Sequence, residues 1–189
     1  MIRTFIAIDT PAEIKEKMFS LQSLLKQTNA DVKWEAKEKF HATIKFLGDV
    51  DERQLSSIVA TIKNVVDTFL PIELTFEGIG SFPNRIAPRV VWIGCENEDG
   101  QLRRFKNALD KQLSQFGFEI ENRKFYAHIT LGRVKGNRNI KDLLLSMENL
   151  TFSPQKIQCS EILVMKSVLL PQGSEYFVLQ KIPFRKTNE

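Results

Sequence analysis

The apolar and polar positions of the first half of the chain follow the pattern of a strand, a helix and further strands. Residues 3–8 are typical of a strand, residues 11–27 have apolar side chains at helical spacing, and residues 32–48 are rich in strand-forming types. The apolar helical positions are Ile14, Met18, Leu21, Leu24 and Leu25. The pattern therefore predicts a strand, an amphipathic helix and then a strand or hairpin.

The second half repeats this order. Residues 89–95 predict a strand, residues 102–116 a helix, and residues 118–134 further strands. A shift of 87 residues pairs, without a gap, Phe5 with Trp92, Ile6 with Ile93, Ile8 with Cys95, His41 with His128 and Thr43 with Thr130. We infer that the chain is an internal duplication.

Each half continues with a helix and more strand-like sequence. Helices are predicted at residues 51–69 and 140–147, strands at 72–78, 162–167 and 176–182, and a loop at 78–88. Such an order in two copies favours an α+β fold with two lobes related by a pseudo-two-fold axis. We expect each lobe to be a mainly antiparallel sheet with helices on its outer face, and a central cleft between the lobes. No linker separates the halves, so residues 1–189 are predicted to form one bilobal domain.

The composition, with 42% apolar and 26% charged residues, is that of an ordinary globular protein. Residues 1–9 lack the features of a signal peptide, and no stretch approaches the ~18 unbroken apolar residues of a membrane span. We therefore expect a cytoplasmic protein with no membrane contact. Cys95 and Cys159 have no further ligands at metal-binding spacing, so we expect both to be buried and reduced.

Positive charge is concentrated in one stretch of the second half. The formal net charge of +4 is too small to prove a nucleic-acid partner. Residues 122–141, however, contain six cations and no Asp or Glu, namely Arg123, Lys124, Arg133, Lys135, Arg138 and Lys141. A solvated face is the ordinary explanation for such a run, but this one encloses His128.

Two His-x-Thr segments, at His41 and Thr43 and again at His128 and Thr130, are the candidate chemistry. Side chains two positions apart in a strand point to the same face, so each lobe would present one imidazole beside one hydroxyl. Two structural histidines are the simpler explanation for either segment alone. Their recurrence at equivalent positions favours a paired site.

Two opposed imidazoles suit in-line displacement at phosphorus. The attacking water loses a proton to a base on one side, and the leaving ribose oxygen receives a proton from an acid on the other. Imidazole, with an ordinary pKa near ~6.5, can fill either role, and the hydroxyls of Thr43 and Thr130 can donate to the non-bridging oxygens. This chemistry requires neither a metal nor another cofactor.

Five segments of the chain resemble the two-histidine phosphoesterases, and specifically the LigT-like RNA 2′,3′-cyclic phosphodiesterases. They are RTFIAI at 3–8, KFHATIKFLG at 39–48, GSFP at 80–83, PRVVWIG at 88–94 and FYAHITLGR at 125–133. The resemblance implies a bilobal fold and hydrolysis of an RNA 2′,3′-cyclic end, such as that of a tRNA fragment, to a 2′-phosphate. It makes His41 the proton donor and His128 the acceptor, roles that the near-symmetry alone leaves interchangeable. It also implies reverse 2′-5′ ligation as a side activity.

Three further residues are candidates for substrate binding. The resemblance implies that Phe46 stacks on the terminal base and that Arg133 lies near the nucleotide or phosphate. Both are five positions after a histidine, and strict alternation places them on the opposite face, so a twist or strand end must return them to the cleft. Lys45 shares the histidine face by parity and is a candidate for contacting the RNA backbone. Core packing of Phe46 and simple solvation of Arg133 and Lys45 are the alternatives, and Trp92 is expected in the core.

Three competing functions stay open from the sequence. A non-catalytic RNA-binding module would bind with steep salt dependence and no turnover. A related enzyme would act on a small cyclic phosphate. A metal hydrolase is disfavoured, because two histidines on distant strands without a third ligand make a poor zinc site. Since one chain supplies both histidines, we expect a monomer with no obligate protein partner.

Overall fold

The computed structural model describes residues 1–122, 124–171 and 173–185. These residues form an α+β structure. The strands are β1 (Ile2–Asp9), β2 (Val32–Trp34), β3 (His41–Val50), β4 (Ile72–Phe82), β5 (Val90–Glu96), β6 (His128–Val134), β7 (Gln155–Cys159), β8 (Glu161–Leu170) and β9 (Gly173–Pro183). The α-helices are α1 (Ala12–Lys26), α2 (Glu52–Val66), α3 (Gln101–Leu113) and α4 (Ile140–Asn149), and short 3₁₀ helices lie at Lys37–Lys39 and Ser114–Phe116.

All nine strands belong to one antiparallel sheet in the order β7-β4-β5-β6-β3-β1-β8-β9, with β2 paired to β6. The two halves of the sheet meet at β3 and β6, through the single pair Ala42 and Ile129. These two residues are themselves 87 positions apart, so the pseudo-two-fold axis passes between them. The predicted bilobal α+β fold with internal duplication is confirmed.

Elements 87 residues apart correspond, but the two lobes exchange strands. β1 matches β5, α1 matches α3, β3 matches β6, α2 matches α4 and β4 matches β8. β4, from the first repeat, pairs with β5 and β7 of the second, whereas β8, from the second repeat, pairs with β1 of the first. Each lobe is therefore built from both halves of the sequence.

The helices bury the faces that the apolar spacing predicted. In α1, Ile14, Met18, Leu21 and Leu25 are buried, while Leu24 is 45% exposed. In α3, the apolar positions from Leu102 to Leu113 are buried in the same way. One hydrophobic cluster joins these helices to the backs of strands from both repeats.

Two of the predicted elements are wrong. Residues 118–127 were expected to be strands, but residues 118–122 and 124–127 are irregular and β6 begins only at His128. The Glu119 carbonyl accepts a hydrogen bond from the Lys45 ammonium instead of from a neighbouring strand. Residues 78–88 were expected to be a loop, but β4 stays paired with β5 as far as Phe82. This pairing requires Gly80, since a Cβ there would lie 2.2 Å from the Trp92 ring.

The structure also bears on the cysteines, on the predicted lack of a membrane span and on the basic stretch. Both cysteines are buried and unbridged, and burial raises the pKa of each thiol to about 12. Within the described ranges, no helix has the length and apolar character needed to cross a membrane. Arg123 of the basic stretch lies outside the described residues.

Candidate active site

The two His-x-Thr segments lie side by side at the junction of the lobes. Ala42 and Ile129 are paired in antiparallel register, so His41 neighbours Thr130 and Thr43 neighbours His128. All four side chains are partly buried, and they line one cavity of about 700 Å³. Each imidazole therefore lies beside the hydroxyl of the opposite strand as well as that of its own.

A backbone carbonyl orients each imidazole. The Nδ1 atom of His128 lies 2.9 Å from the carbonyl oxygen of Tyr126. A carbonyl only accepts hydrogen bonds, so Nδ1 is the protonated nitrogen and Nε2 of the neutral ring is a proton acceptor. His41 has a backbone hydrogen bond to Lys39, the residue equivalent to Tyr126.

Aromatic side chains pack against His41. Phe5 stacks on the imidazole with ring centroids 5.1 Å apart, and Tyr176 meets it edge-on at 5.1 Å. Tyr176 comes from β9, which has no counterpart in the first repeat, so the duplication gives no signal for it.

His128 is packed by a similar pair of rings. Phe82 meets it edge-on at 4.9 Å, and Trp92 lies 6.3 Å away. The prediction that Trp92 is a core residue is wrong, because its register pairing with Thr130 places it on the cleft face, where it is only partly buried. Trp92 is equivalent to Phe5, which stacks on His41. The repeat therefore indicated that the two aromatic residues have similar positions relative to the two histidines.

Burial makes both imidazoles weak bases. Desolvation lowers the pKa of His41 to about 4, against a smaller raising effect of the Asp9 carboxylate. Desolvation also lowers the pKa of His128, and the nearby charge of Arg133 adds to this effect while the Tyr126 carbonyl opposes it. Both rings are therefore neutral at neutral pH in the unliganded protein.

Comparison with known proteins identifies the family of the chain. The family described as LigT-like phosphoesterase matches the chain twice, at residues 8–92 and 93–176. The chain belongs to this family. RNA 2′,3′-cyclic phosphodiesterases of Thermotoga maritima and Archaeoglobus fulgidus are each 35% identical to it, over 97% and 93% of this chain and 96% of each relative.

The fold of this chain is similar to that of solved structures over nearly its whole length. A protein of Thermus thermophilus has a TM-score of 0.79 at 23% identity, covering 99% of this chain and 100% of that one. Escherichia coli LigT complexed with 3′-AMP has a TM-score of 0.74 at 23% identity, covering 98% and 99% of the two chains.

A β-bulge in each lobe brings the predicted substrate-binding side chains to the cleft of this LigT-like protein. In β3, Ile44 is an extra residue opposite β1, and in β6 the equivalent Leu131 is an extra residue opposite β5. Each bulge reverses the alternation after the threonine. Phe46 and Arg133 therefore line the cleft, and Phe46 is 60% exposed there.

The same bulge overturns the parity prediction for Lys45. Lys45 borders the cavity, but its side chain is only 2% exposed and its ammonium points to α3 and to the segment that contains Glu119. Its Nζ lies 2.7 Å from Oδ1 of Asp110 in α3 and 2.8 Å from the carbonyl oxygen of Glu119. The ammonium is thus held in a buried ion pair and is not available to contact an RNA backbone.

Several residues that line the cleft were not predicted as site residues from the sequence. They are Glu35, Lys39, Phe82, Tyr126 and Tyr176. Glu35 contacts Arg133, with Oε1 3.7 Å from Nε. Lys39 and Tyr126 each precede a histidine by two positions and are 87 residues apart. The repeat therefore marks them as equivalent positions next to the two histidines. In the part of the chain that the structure describes, no three His, Cys, Asp or Glu side chains come together as metal ligands.

Proposed function

We propose that this protein hydrolyses 2′,3′-cyclic phosphate ends of RNA to 2′-phosphomonoesters, with His41 and His128 as acid and base. The observation that carries the proposal is the pair of imidazoles on adjacent strands of one cleft, each beside two threonine hydroxyls. The names of relatives that are 35% identical over nearly the full chain support the choice of substrate.

In the proposed reaction, His128 is the proton acceptor. Its Nδ1 is bound to the Tyr126 carbonyl, so the lone pair of Nε2 takes the proton of the attacking water. The water oxygen bonds to phosphorus, the bond to the ribose 3′-oxygen breaks, and His41 protonates that oxygen. The products are a 2′-phosphate and a 3′-hydroxyl.

The remaining site residues stabilise the charge of the reacting phosphate and hold the nucleotide. Thr43 and Thr130 donate hydrogen bonds to the non-bridging oxygens, where one well-placed donor is worth roughly 3 to 4 kcal/mol in the transition state. Phe46 offers an exposed ring for the terminal base, and Arg133 offers positive charge at the cleft wall. The negative charge of the bound phosphate raises the pKa of His41, so that this residue can act as the donor.

The test is hydrolysis of an oligoribonucleotide ending in a 2′,3′-cyclic phosphate, with EDTA present. We expect turnover by the native protein and a loss of about 10² to 10⁴ in kcat for His41→Ala and for His128→Ala, with the far-UV circular dichroism unchanged. Full activity in either variant contradicts the paired roles, loss of activity with EDTA contradicts metal independence, and binding without turnover identifies a non-catalytic module.

Several properties are expected from the sequence alone. They are the cytoplasmic location, the monomeric state, the absence of an obligate protein partner, the use of tRNA fragments and the reverse 2′-5′ ligation. We also propose that the 189 residues act as one bilobal catalytic domain, because the cleft takes side chains from both repeats.

A further inference from the structure

The two ends of the cleft differ chemically although the strands that form them are related by the pseudo-two-fold axis. Lys39 is equivalent to Tyr126, and Phe46 is equivalent to Arg133. Because β3 and β6 are antiparallel, residues preceding His41 lie beside residues following Thr130. Phe46 and Tyr126 therefore share one end of the cleft, and Lys39 and Arg133 share the other.

A third cation, Lys33, lies at the end of the cleft that contains Lys39 and Arg133. In the register of β2 and β6, Lys33 lies directly opposite Arg133. Like charges in directly opposed positions of an antiparallel pair are destabilising. Glu35, two positions after Lys33, offsets part of this repulsion through its 3.7 Å contact with Arg133.

The β8–β9 hairpin brings the two lysines together. A Cβ on Gly173 would lie 3.4 Å from Nζ of Lys33 and 4.0 Å from Nζ of Lys39. The two ammonium nitrogens are therefore no more than 7.4 Å apart, the sum of those distances. We call Lys33, Lys39 and Arg133 the cationic end.

The cationic end concentrates positive charge beside the cleft. Lys39 and Arg133 line the cavity itself, and Lys33 lies next to both of them. The carboxylate of Glu35, which also lines the cavity, contacts Arg133 and balances one of these charges. Even when only the groups that line the cavity are counted, Lys39 and Arg133 outnumber the carboxylate of Glu35 at this end, which favours an anionic ligand there.

We propose that the cationic end is a second phosphate subsite, which binds the phosphodiester joining the terminal nucleotide to the rest of the RNA. This inference rests on the proposed function. The reacting phosphate belongs between the histidines, and Lys39 and Arg133 line the same cavity. An internucleotide phosphate one residue away bears a single negative charge and suits Lys33 and Lys39 there. The subsite would favour RNA ends over mononucleotides.

The test compares adenosine 2′,3′-cyclic phosphate with the dinucleotide ApA ending in the same cyclic phosphate. We expect kcat/KM for the dinucleotide to exceed that for the mononucleotide by about tenfold, the usual scale of a charge-assisted phosphate contact. In the double variant Lys33→Gln/Lys39→Gln this ratio falls to near one. Glutamine is chosen because a glutamate at position 33 would form a new ion pair with Arg133.

The matched control is Lys63→Gln/Lys111→Gln, which removes two exposed lysines from α2 and α3. We expect this variant to keep the native ratio, and we expect added salt to reduce the ratio by screening. Equal kcat/KM for both substrates, or a native ratio retained in Lys33→Gln/Lys39→Gln, overturns the subsite while leaving the proposed function intact. Turnover of neither substrate overturns the proposed function itself.

Discussion

At the scale of single residues, the two imidazoles have different surroundings. Phe5 stacks on His41 and Tyr176 covers its edge, and burial holds the pKa of His41 at about 4. Burial lowers the pKa of His128 as well, and the charge of Arg133 adds to this effect. Under the proposed mechanism, both rings are neutral before substrate binds, and His41 must gain its proton as the anionic substrate binds.

The pH dependence of the reaction follows from these shifts. The proposed mechanism needs one protonated and one deprotonated imidazole, so we expect a bell-shaped kcat/KM profile with its maximum midway between the two pKa values of the free enzyme. Both values lie below the ordinary 6.5, so we expect the maximum below pH 6.5, with kcat/KM falling as the pH rises through neutrality. The kcat profile shifts toward higher pH, because bound phosphate favours protonated His41. A kcat/KM maximum above pH 6.5 would contradict this.

Phe46 is expected to contribute to substrate binding rather than to folding. Its ring is 60% exposed in the cleft, and base stacking on an aromatic ring is worth ~1 to 3 kcal/mol. We expect Phe46→Ala to lower kcat/KM about tenfold or more, mainly through KM, and Phe46→Tyr to restore it. Phe177→Ala, which removes a 50% exposed ring of β9 that does not line the cleft, is the matched control. Equal effects of Phe46→Ala and Phe177→Ala would exclude a stacking role.

At the scale of elements, a buried charge cluster fixes the irregular cleft segment behind β3. Asp110 of α3 accepts hydrogen bonds from the ammonium groups of both Lys45 and Lys106, and the backbone N–H of Glu121 donates to it at 3.4 Å. Burial alone would raise the pKa of Asp110, but the two cations outweigh burial and lower it. The cluster thus joins β3 and α3 to the segment that leads into Tyr126.

Removing the carboxylate from this cluster should be costly. Asp110→Asn leaves two ammonium groups buried beside a neutral amide, so we expect the free energy of unfolding to fall by about 3 to 5 kcal/mol in urea denaturation. Glu13→Gln, which removes one partner of the exposed pair with Lys17, should change it by less than ~1 kcal/mol. A loss for Asp110→Asn as small as that for Glu13→Gln would show that the cluster does not stabilise the fold.

The part of the site that the sequence predicted is the part that depends on alternation and repetition. His41 and His128 with their threonines precede the bulges, so period-two reasoning places them correctly. Lys45 follows the bulge at Ile44, and one extra residue in a strand reverses every later side chain without a compositional signature. Residues 118–122 and 124–127 were misassigned for a different reason, since contacts such as that of Glu119 with Lys45 join residues far apart in the sequence and leave no local pattern.

At the scale of the whole molecule, the exchange of strands makes the two repeats interdependent. β4 completes the lobe of the second repeat, β8 completes that of the first, and one hydrophobic cluster contains residues of both. We therefore expect the two lobes to unfold together, even though β3 and β6 are paired at a single pair of residues.

A single unfolding transition is expected as a result. We expect tryptophan fluorescence, which reports Trp34 on β2 and Trp92 on β5, to change at the same urea concentration as the far-UV circular dichroism. Separated transitions would show that the lobes unfold independently despite the exchanged strands.

The bulges at Ile44 and Leu131 have the same backbone geometry, and each brings one later side chain to the cleft. This side chain is Phe46 in the first repeat and Arg133 in the second. Two identical subunits carrying this unit would present the same side chain at both positions, and a ligand could then enter in either of two equivalent directions. Covalent fusion lets the two positions carry different residues, and this difference removes the degeneracy. With phenylalanine at one position and arginine at the other, we expect an RNA end bound in the proposed way to enter the cleft in a single orientation.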